Sequence, residues 1–322
     1  MRVVYYKTLL NDKEKEAYDK IVAALSRCEK EVVIYGLDCQ TVTKIANTLM
    51  LDWPELFYVS REIKYSYTST YVIVQLNYVM SKDEADAKMK KIESVADGIL
   101  KKIGSMSDYE KALYIHDYLA NNLIYDLQES KTEDIYNLAG ALLNGRCVCD
   151  GYSKAYQYLC GKVGIPCIRV VGYGTDPDGK MEKHAWNMIK LDGVNYFVDV
   201  TYDKKSSKPC CSRAYFLLST QQIKEDHIFD PEYKLPLCTQ SRCPLPVVKS
   251  MVELKSKLMQ EYRANKVASE IKFVSPVNTQ QCLDVLRESV HDDEIDMYNS
   301  IKGCYYVANF ARVSTIIFLW RQ

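Results

Sequence analysis

One turn constrains this chain more than any other feature of it. Asp192-Gly193 sits within Lys190-Leu-Asp-Gly-Val194, between two runs of alternating apolar residues. That is the signature of a two-residue type I′ hairpin, whose central positions both need positive φ. Such a turn pairs Leu191 with Val194, and the register then sets Asp199 opposite Trp186. His184 lies two residues along on the same face. His184 and Asp199 are therefore diagonal cross-strand neighbours, about 7–8 Å apart at Cα and nearer at Cβ. One face of the hairpin carries Ala185, Ile189, Leu191, Val194, Tyr196, Val198 and Val200 and reads as core, with Asn187 its polar member. The other carries Trp186, Met188, Phe197 and Thr201, a partly apolar floor on which an acid and a base stand together.

A nucleophile is available upstream. Tyr152, Ala155, Tyr156, Leu159 and Val163 recur at helical spacing, and Gly164 follows as a stop, which predicts an amphipathic helix beginning within a residue or two of Cys149. A thiol at a helix N-terminus faces the positive end of the dipole and unpaired amides, which favours its thiolate. The same amides can serve as an oxyanion hole. A cysteine at a helix start is most often only a buried residue beside a turn. Its combination with a register-matched His/Asp pair instead fits a Cys-His-Asp triad, in which the imidazole activates the thiol and the carboxylate fixes the ring.

These blocks resemble the transglutaminase-like superfamily, in particular its bacterial members, whose catalytic domain belongs to the papain-like cysteine enzymes. The residues that carry the resemblance are Gly145 through Tyr152, Gly164-Ile165, His184-Ala-Trp-Asn187 and Asp199-Val-Thr-Tyr-Asp203, within about residues 108–230. Gly172-Tyr173, Asp226-His227 and, further upstream, Pro54-Glu-Leu-Phe57 are similar as well. The resemblance implies Cys149 as nucleophile rather than Cys147, because only Cys149-Asp-Gly-Tyr152 supplies the cysteine-x-glycine-aromatic pattern. It implies His184 as general base and Asp199 as its orienter. It also implies an oxyanion hole that pairs the nucleophile's own amide with an upstream side chain, for which Tyr125 is the candidate. Trp186, Tyr152 and Asn187 flank the triad as candidates for substrate binding or support. The implied fold class is α+β: a papain-like, transglutaminase-like core, with the helix bearing the cysteine packed on an antiparallel sheet bearing His and Asp, and small α+β modules on either side.

Length and composition allow that organisation. The chain has 322 residues, 48% hydrophobic and 26% charged, enough for about two domains with ordinary cores. Residues 1–103 read as an N-terminal α+β module, with helices capped near Asn11 and Asp38, a hairpin over Tyr65–Tyr78 and a charged helix from Lys82. Residues 104–236 read as the catalytic domain, opened by the capping box Ser107-Asp-Tyr-Glu110. Residues 247–322 read as a C-terminal α+β module beyond the Pro-containing linkers at Pro236 and Pro244-Leu-Pro246. The stretches Glu31–Tyr78 and Ser269–Trp320 share an order of elements, as two copies of one small module would.

Several functions are disfavoured. With 42 basic against 42 acidic residues, a nucleic-acid or polybasic membrane surface is not expected. No window reaches 18 uninterrupted apolar residues, so no transmembrane helix is expected. Cys210, Cys211, Cys238 and Cys243 lack the knuckle spacing of a zinc site, and no calcium loop is present, so neither metal nor cofactor is expected. The opening MRVVYYKTLL lacks the features of a signal peptide. Most of the 12 cysteines read as reduced, which suits the cytoplasm, with export the alternative if a leader preceded Met1. His116 and Asp117, within a helix, and Asp226-His227, at a helix end, read as structural. The functional expectation is thiol-dependent acyl transfer on amide or peptide bonds, with a protease or amidase favoured over a transamidase. Its partners are a peptide or protein substrate and, for transamidation, an amine acceptor. The rival readings are a non-catalytic binding or scaffold module and a redox role for Cys147/Cys149.

Overall fold

A computed structural model describes residues 3–126, 132–175, 179–205, 210–266, 268–274, 280, 282, 284, 301–308 and 314–320, with backbone alone at 302–308 and 314. The architecture is α+β. At its centre lies a five-stranded antiparallel sheet in the order His227–Phe229, Cys167–Thr175, Met181–Leu191, Val194–Val198, Phe216–Leu218. Its axis is the hairpin at Asp192-Gly193, where φ is 50° and 83°, the positive values a type I′ turn requires. Leu191 pairs with Val194 and Asn187 with Val198, in the register the turn dictates.

One correction follows at Asp199. The strand ends at Val198, and Asp199 is the N-cap of a short helix, Val200–Asp203. An aspartate is a strong N-cap former because its carboxylate can take the unpaired amides of the first turn. Here Oδ1 accepts from Thr201 N at 2.8 Å and Tyr202 N at 3.2 Å. The cap turns the backbone but leaves the second oxygen pointing back along the sheet toward His184.

A second correction concerns the helix Cys149–Lys162. It is buried all round from Gly151 to Cys160 rather than amphipathic. Helices Asp108–Asn122 and Leu138–Leu142 clasp one side, and strands Cys167–Thr175 and Met181–Leu191 close the other. Its C-terminal stop is Gly164 at φ 81°. Both faces of the central sheet are packed. Ile189, Leu191, Tyr196 and Val198 meet the helical layer, while Trp186, Met188 and Phe197 meet Tyr6, Leu51, Tyr215 and Leu218. The floor expected to be partly apolar is a full second core.

The N-terminal module forms a three-stranded sheet, Glu31–Tyr35, Tyr71–Gln75, Lys64–Tyr67 in spatial order, with its own core around Ile21, Ile45, Leu49 and Val74. Asn11, Asp38, Ser81 and Ser107 each cap a helix through the side chain, each contributing about 1 kcal/mol. The line drawn at residue 103 runs through a shared core. Ile92, Ala96 and Ile99 of helix Lys82–Leu100 pack with Ile115, Leu119 and Tyr156 of the middle segment. From the chain start, Tyr6 donates its hydroxyl proton to the Arg169 carbonyl.

In the C-terminal module the strands Ala268–Phe273, Ser314–Trp320 and Ile301–Ala308 lie side by side, all antiparallel, with Val247–Val248 parallel on the outer edge. First and last modules thus share one strand order: the first strand in sequence on one side, the last in the middle, the second on the other side. The helix expected between the C-terminal strands falls largely on residues outside the described ones.

Candidate active site

Cys149 opens its helix without a side-chain cap; Val148 at the N-cap position supplies none. The thiol is half-buried. Cys147, two residues earlier, is fully buried against Gly151, where a Cβ would lie 2.4 Å from the Cys147 Cβ. The glycine two positions after the nucleophile is therefore a steric necessity: the Cys147 side chain fills the space a side chain would need. Burial, and then the neighbouring Cys149, push the Cys147 thiol well above the usual range, which disfavours its thiolate. Each described cysteine side chain is a free thiol.

Upstream, Ile124–Tyr125 pairs in parallel with Arg146–Cys147, two residues on each side. This clip sets the Tyr125 hydroxyl against the Cys149 backbone N–H. Burial and the Cys149 charge raise the Tyr125 pKa, so the phenol stays protonated and can donate. Tyr125 and Tyr152 rings lie 6.2 Å apart. Tyr152 itself is fully buried and donates to the Leu123 carbonyl at 2.8 Å.

His184 reaches the site from strand Met181–Leu191. Its Nε2 lies 2.7 Å from Asp199 Oδ2, and the Cys149 thiol is near enough to favour the protonated ring. Burial opposes a charged imidazole, but Asp199 and then Cys149 outweigh it and raise the His184 pKa to about 10. Asp199 is fully buried, yet the His184 and His227 partners hold its carboxyl well below the usual carboxylate range. Trp186 stacks on the His184 ring at 5.8 Å and is 1% exposed. Asn187 donates to the Ser153 carbonyl at 3.0 Å, tying the sheet to the nucleophile's helix. Both side chains are buried. Gly174 completes the geometry: a Cβ there would lie 2.4 Å from the Tyr202 hydroxyl and 3.1 Å from the His184 ring.

The reading of Asp226-His227 as a helix-end feature is corrected. His227 begins the edge strand His227–Phe229, which pairs with Gly172–Gly174. Its Nε2 lies 3.0 Å from the same Asp199 Oδ2 that His184 uses. A strand of three residues has no periodicity to read, and its partner is some fifty positions away in sequence.

Among the described residues two groups gather metal-ligating atoms within 4.8 Å of one another: His184/Asp199/His227 and His116/Asp117/Cys211. In both, the atoms are already engaged in hydrogen bonds or ion pairs. The four thiols Cys210, Cys211, Cys238 and Cys243 form no such group; Cys238, for one, packs with Ile223 and Leu245 beneath the sheet. No helix of the described residues is long and apolar enough to cross a membrane.

Residues 95–200, which hold all three triad positions, match the model of the transglutaminase-like superfamily. A curated relative, kyphoscoliosis peptidase of Mus musculus, is 28% identical over 141 residues, covering 38% of this chain and 21% of that protein. The Homo sapiens protein of the same name is 26% identical over 141 residues, with the same coverage of 38% and 21%. The chain thus spans about a fifth of the length of these relatives. Both are mammalian, so the resemblance to bacterial members rests on the sequence motifs. Among solved structures, a TGase overlaps at TM-score 0.32 and 16% identity, covering 53% of this chain and 52% of that one. The periplasmic domain of TgpA from Pseudomonas aeruginosa overlaps at TM-score 0.27 and 18% identity, covering 43% and 57%. The superfamily match supports an enzyme of the thiol acyl-transfer class at a coarse level.

Proposed function

We propose that this chain performs thiol-dependent acyl transfer on amide or peptide bonds through Cys149, His184 and Asp199. The observation that carries the reading is the His184 ring, with one nitrogen on Asp199 at 2.7 Å and the Cys149 thiol near enough to favour its proton. The direction of the His184 shift favours a protonated ring, so His184 can hold the proton that the Cys149 thiol gives up. The Cys149 sulfur attacks the substrate carbonyl. Negative charge developing on the carbonyl oxygen is met by the Cys149 amide and the Tyr125 hydroxyl, and the His184 proton passes to the departing amine. The thioester is then resolved by water, or by a second amine, after His184 removes a proton from the incoming group. Hydrolysis needs no second amine site, which favours a protease or amidase over a transamidase.

The test is turnover of fluorescent casein, with and without hydroxylamine as a surrogate amine. Released peptides report hydrolysis and protein-bound hydroxamate reports transamidation. Cys149→Ala is expected to abolish both while Cys147→Ala retains them, an outcome the redox reading cannot accommodate. Turnover unchanged in Cys149→Ala would refute the assignment, and a wild-type chain without turnover would favour the scaffold reading.

A further inference from the structure

We infer that His227 is a positioning residue for this centre: a second imidazole that donates to the catalytic carboxylate and withholds part of its charge from His184. The inference rests on the proposed triad and deepens it.

The hydrogen-bond accounting at Asp199 motivates it. An ionised carboxylate offers about four acceptor positions. Oδ1 takes the Thr201 and Tyr202 amides at 2.8 and 3.2 Å, and Oδ2 takes His184 at 2.7 Å and His227 at 3.0 Å. Asp199 is 0% exposed, so no solvent donor replaces a missing partner. The His227 ring is itself aimed. Its Nδ1 lies 2.6 Å from Asp226 Oδ1, and the Tyr215 hydroxyl donates to the other Asp226 oxygen. Each ring nitrogen thus faces a carboxylate oxygen, and the donor this inference assigns to Asp199 is Nε2. Pairing with Gly172–Gly174 fixes the His227 backbone two strands from that of His184, with Cys167–Thr175 between them.

The consequence is electrostatic as well as geometric. Two N–H donors on one oxygen divide the attraction it exerts. With His227 in place, the His184 imidazolium is held less tightly than a free carboxylate would hold it, which eases proton delivery to a departing amine. The other titratable groups facing His184 are Cys149, Asp150 and Tyr202; those facing His227 are Asp226, Tyr202 and Tyr215. The Tyr202 hydroxyl donates to the Thr175 carbonyl and the Tyr215 hydroxyl to Asp226.

The chain has 4 histidines, few enough to assign in nitrogen-detected NMR of histidine-labelled full-length protein. The readout is the titration midpoint of His184, which a merely structural residue would not move. In His227→Phe the midpoint is expected to rise by about one pH unit, because the unshared Asp199 charge favours the imidazolium. His227→Gln keeps an amide donor and is expected to recover at least half of that shift. Asp226→Asn, which loosens His227 without removing it, is expected to move the midpoint the same way by a smaller amount. A His184 midpoint within about 0.2 units of wild type in Asp226→Asn and in folded His227→Phe overturns the inference. Should His227→Phe not fold, Asp226→Asn alone decides it. The titration needs no substrate, so it stands apart from the triad's own test: a wild-type Cys149 without enhanced reactivity defeats the acyl-transfer reading and leaves this comparison readable.

Discussion

Two centres in this molecule contain the same ingredients, a cysteine, a histidine and aspartates, and they differ in how the histidine ring is committed. At the first, His184 sets Nε2 on Asp199, with Cys149 as the other group that favours its proton, and no second carboxylate is hydrogen-bonded to the ring. At the second, His116 is fully buried with Nδ1 on Asp117 at 2.9 Å and Nε2 on Asp203 at 3.0 Å. Asp117 is further committed to Arg213, whose Nε lies 3.1 Å away, and Cys211 sits beside it at 3.7 Å. Burial alone would lower the His116 pKa, but the two aspartates raise it to about 9. Asp117, despite its burial, is held down to about 2 by His116 and Arg213. The second centre is a closed ion-pair network stapling helix Asp108–Asn122 to the segment after Asp203. A cavity of about 500 Å³ adjoins it, lined by Asp117, Cys211 and Arg213, yet no nitrogen of His116 is free to serve as a base. The lesson is that the free valence of the imidazole, and not the roster of residue types, separates chemistry from architecture.

The contrast can be broken by paired substitutions. Cys149→Ala is expected to lower turnover by about 10⁴-fold or more with little change in melting temperature, and His184→Ala to lower it as far but with a loss of stability from the buried Asp199 carboxylate it leaves behind, whereas Cys211→Ala leaves turnover intact. His116→Ala should do the reverse, costing about 3–5 kcal/mol in urea unfolding by stranding buried carboxylates, while Cys149 labelling in the folded fraction is unchanged. If His116→Ala instead silences Cys149 in folded protein, the two centres are one. Tyr125→Phe sharpens the first centre: loss of an oxyanion donor is expected to reduce turnover about 100-fold, without altering Cys149 alkylation, which develops no oxyanion.

Stability against pH probes the second centre. The folded His116 pKa of about 9 exceeds the unfolded value, so its contribution is complete below about pH 6.5 and disappears as pH rises through about 9, on the order of 3 kcal/mol at most. Thermal melts at both ends of that window, wild type against His116→Gln, check it, and the variant should lose about half of the alkaline decline, because His184, raised to about 10, keeps its own share over the same window. The smallest effect belongs to Cys147→Ala, about 1 kcal/mol for a small buried side chain, with labelling of Cys149 preserved.

How far the sequence carried depended on the range of each signal. Asp192-Gly193 is a two-residue cue with a single geometric consequence, so the pairing of Asn187 with Val198 and the nearness of His184 to Asp199 were readable from it. The capping boxes at Ser107 and the caps at Asn11 and Asp38 are equally local. Asp199 as a cap was not readable as such, because alternation continues through Val200 and nothing marks the strand's end. The clip that brings Tyr125 to Cys149 has two residues per strand, and the strand bearing His227 has three. Contacts that short between distant segments leave no periodic trace. The same limit hid the shared core of helix Lys82–Leu100, whose charged face reads as solvated while Ile92, Ala96 and Ile99 reach into the middle segment.

The central claim is that Cys149 is an activated thiol governed by His184. Limiting iodoacetamide, applied to native protein from about pH 4 to 9 and read by peptide mass mapping, tests it most directly. Cys28, Cys39, Cys210 and Cys243 are half-buried thiols and serve as internal standards. The account requires Cys149 to label first and below about pH 7, with His184→Ala moving that labelling to higher pH. Labelling of Cys149 no faster than those four, or a profile indifferent to His184→Ala, would contradict it.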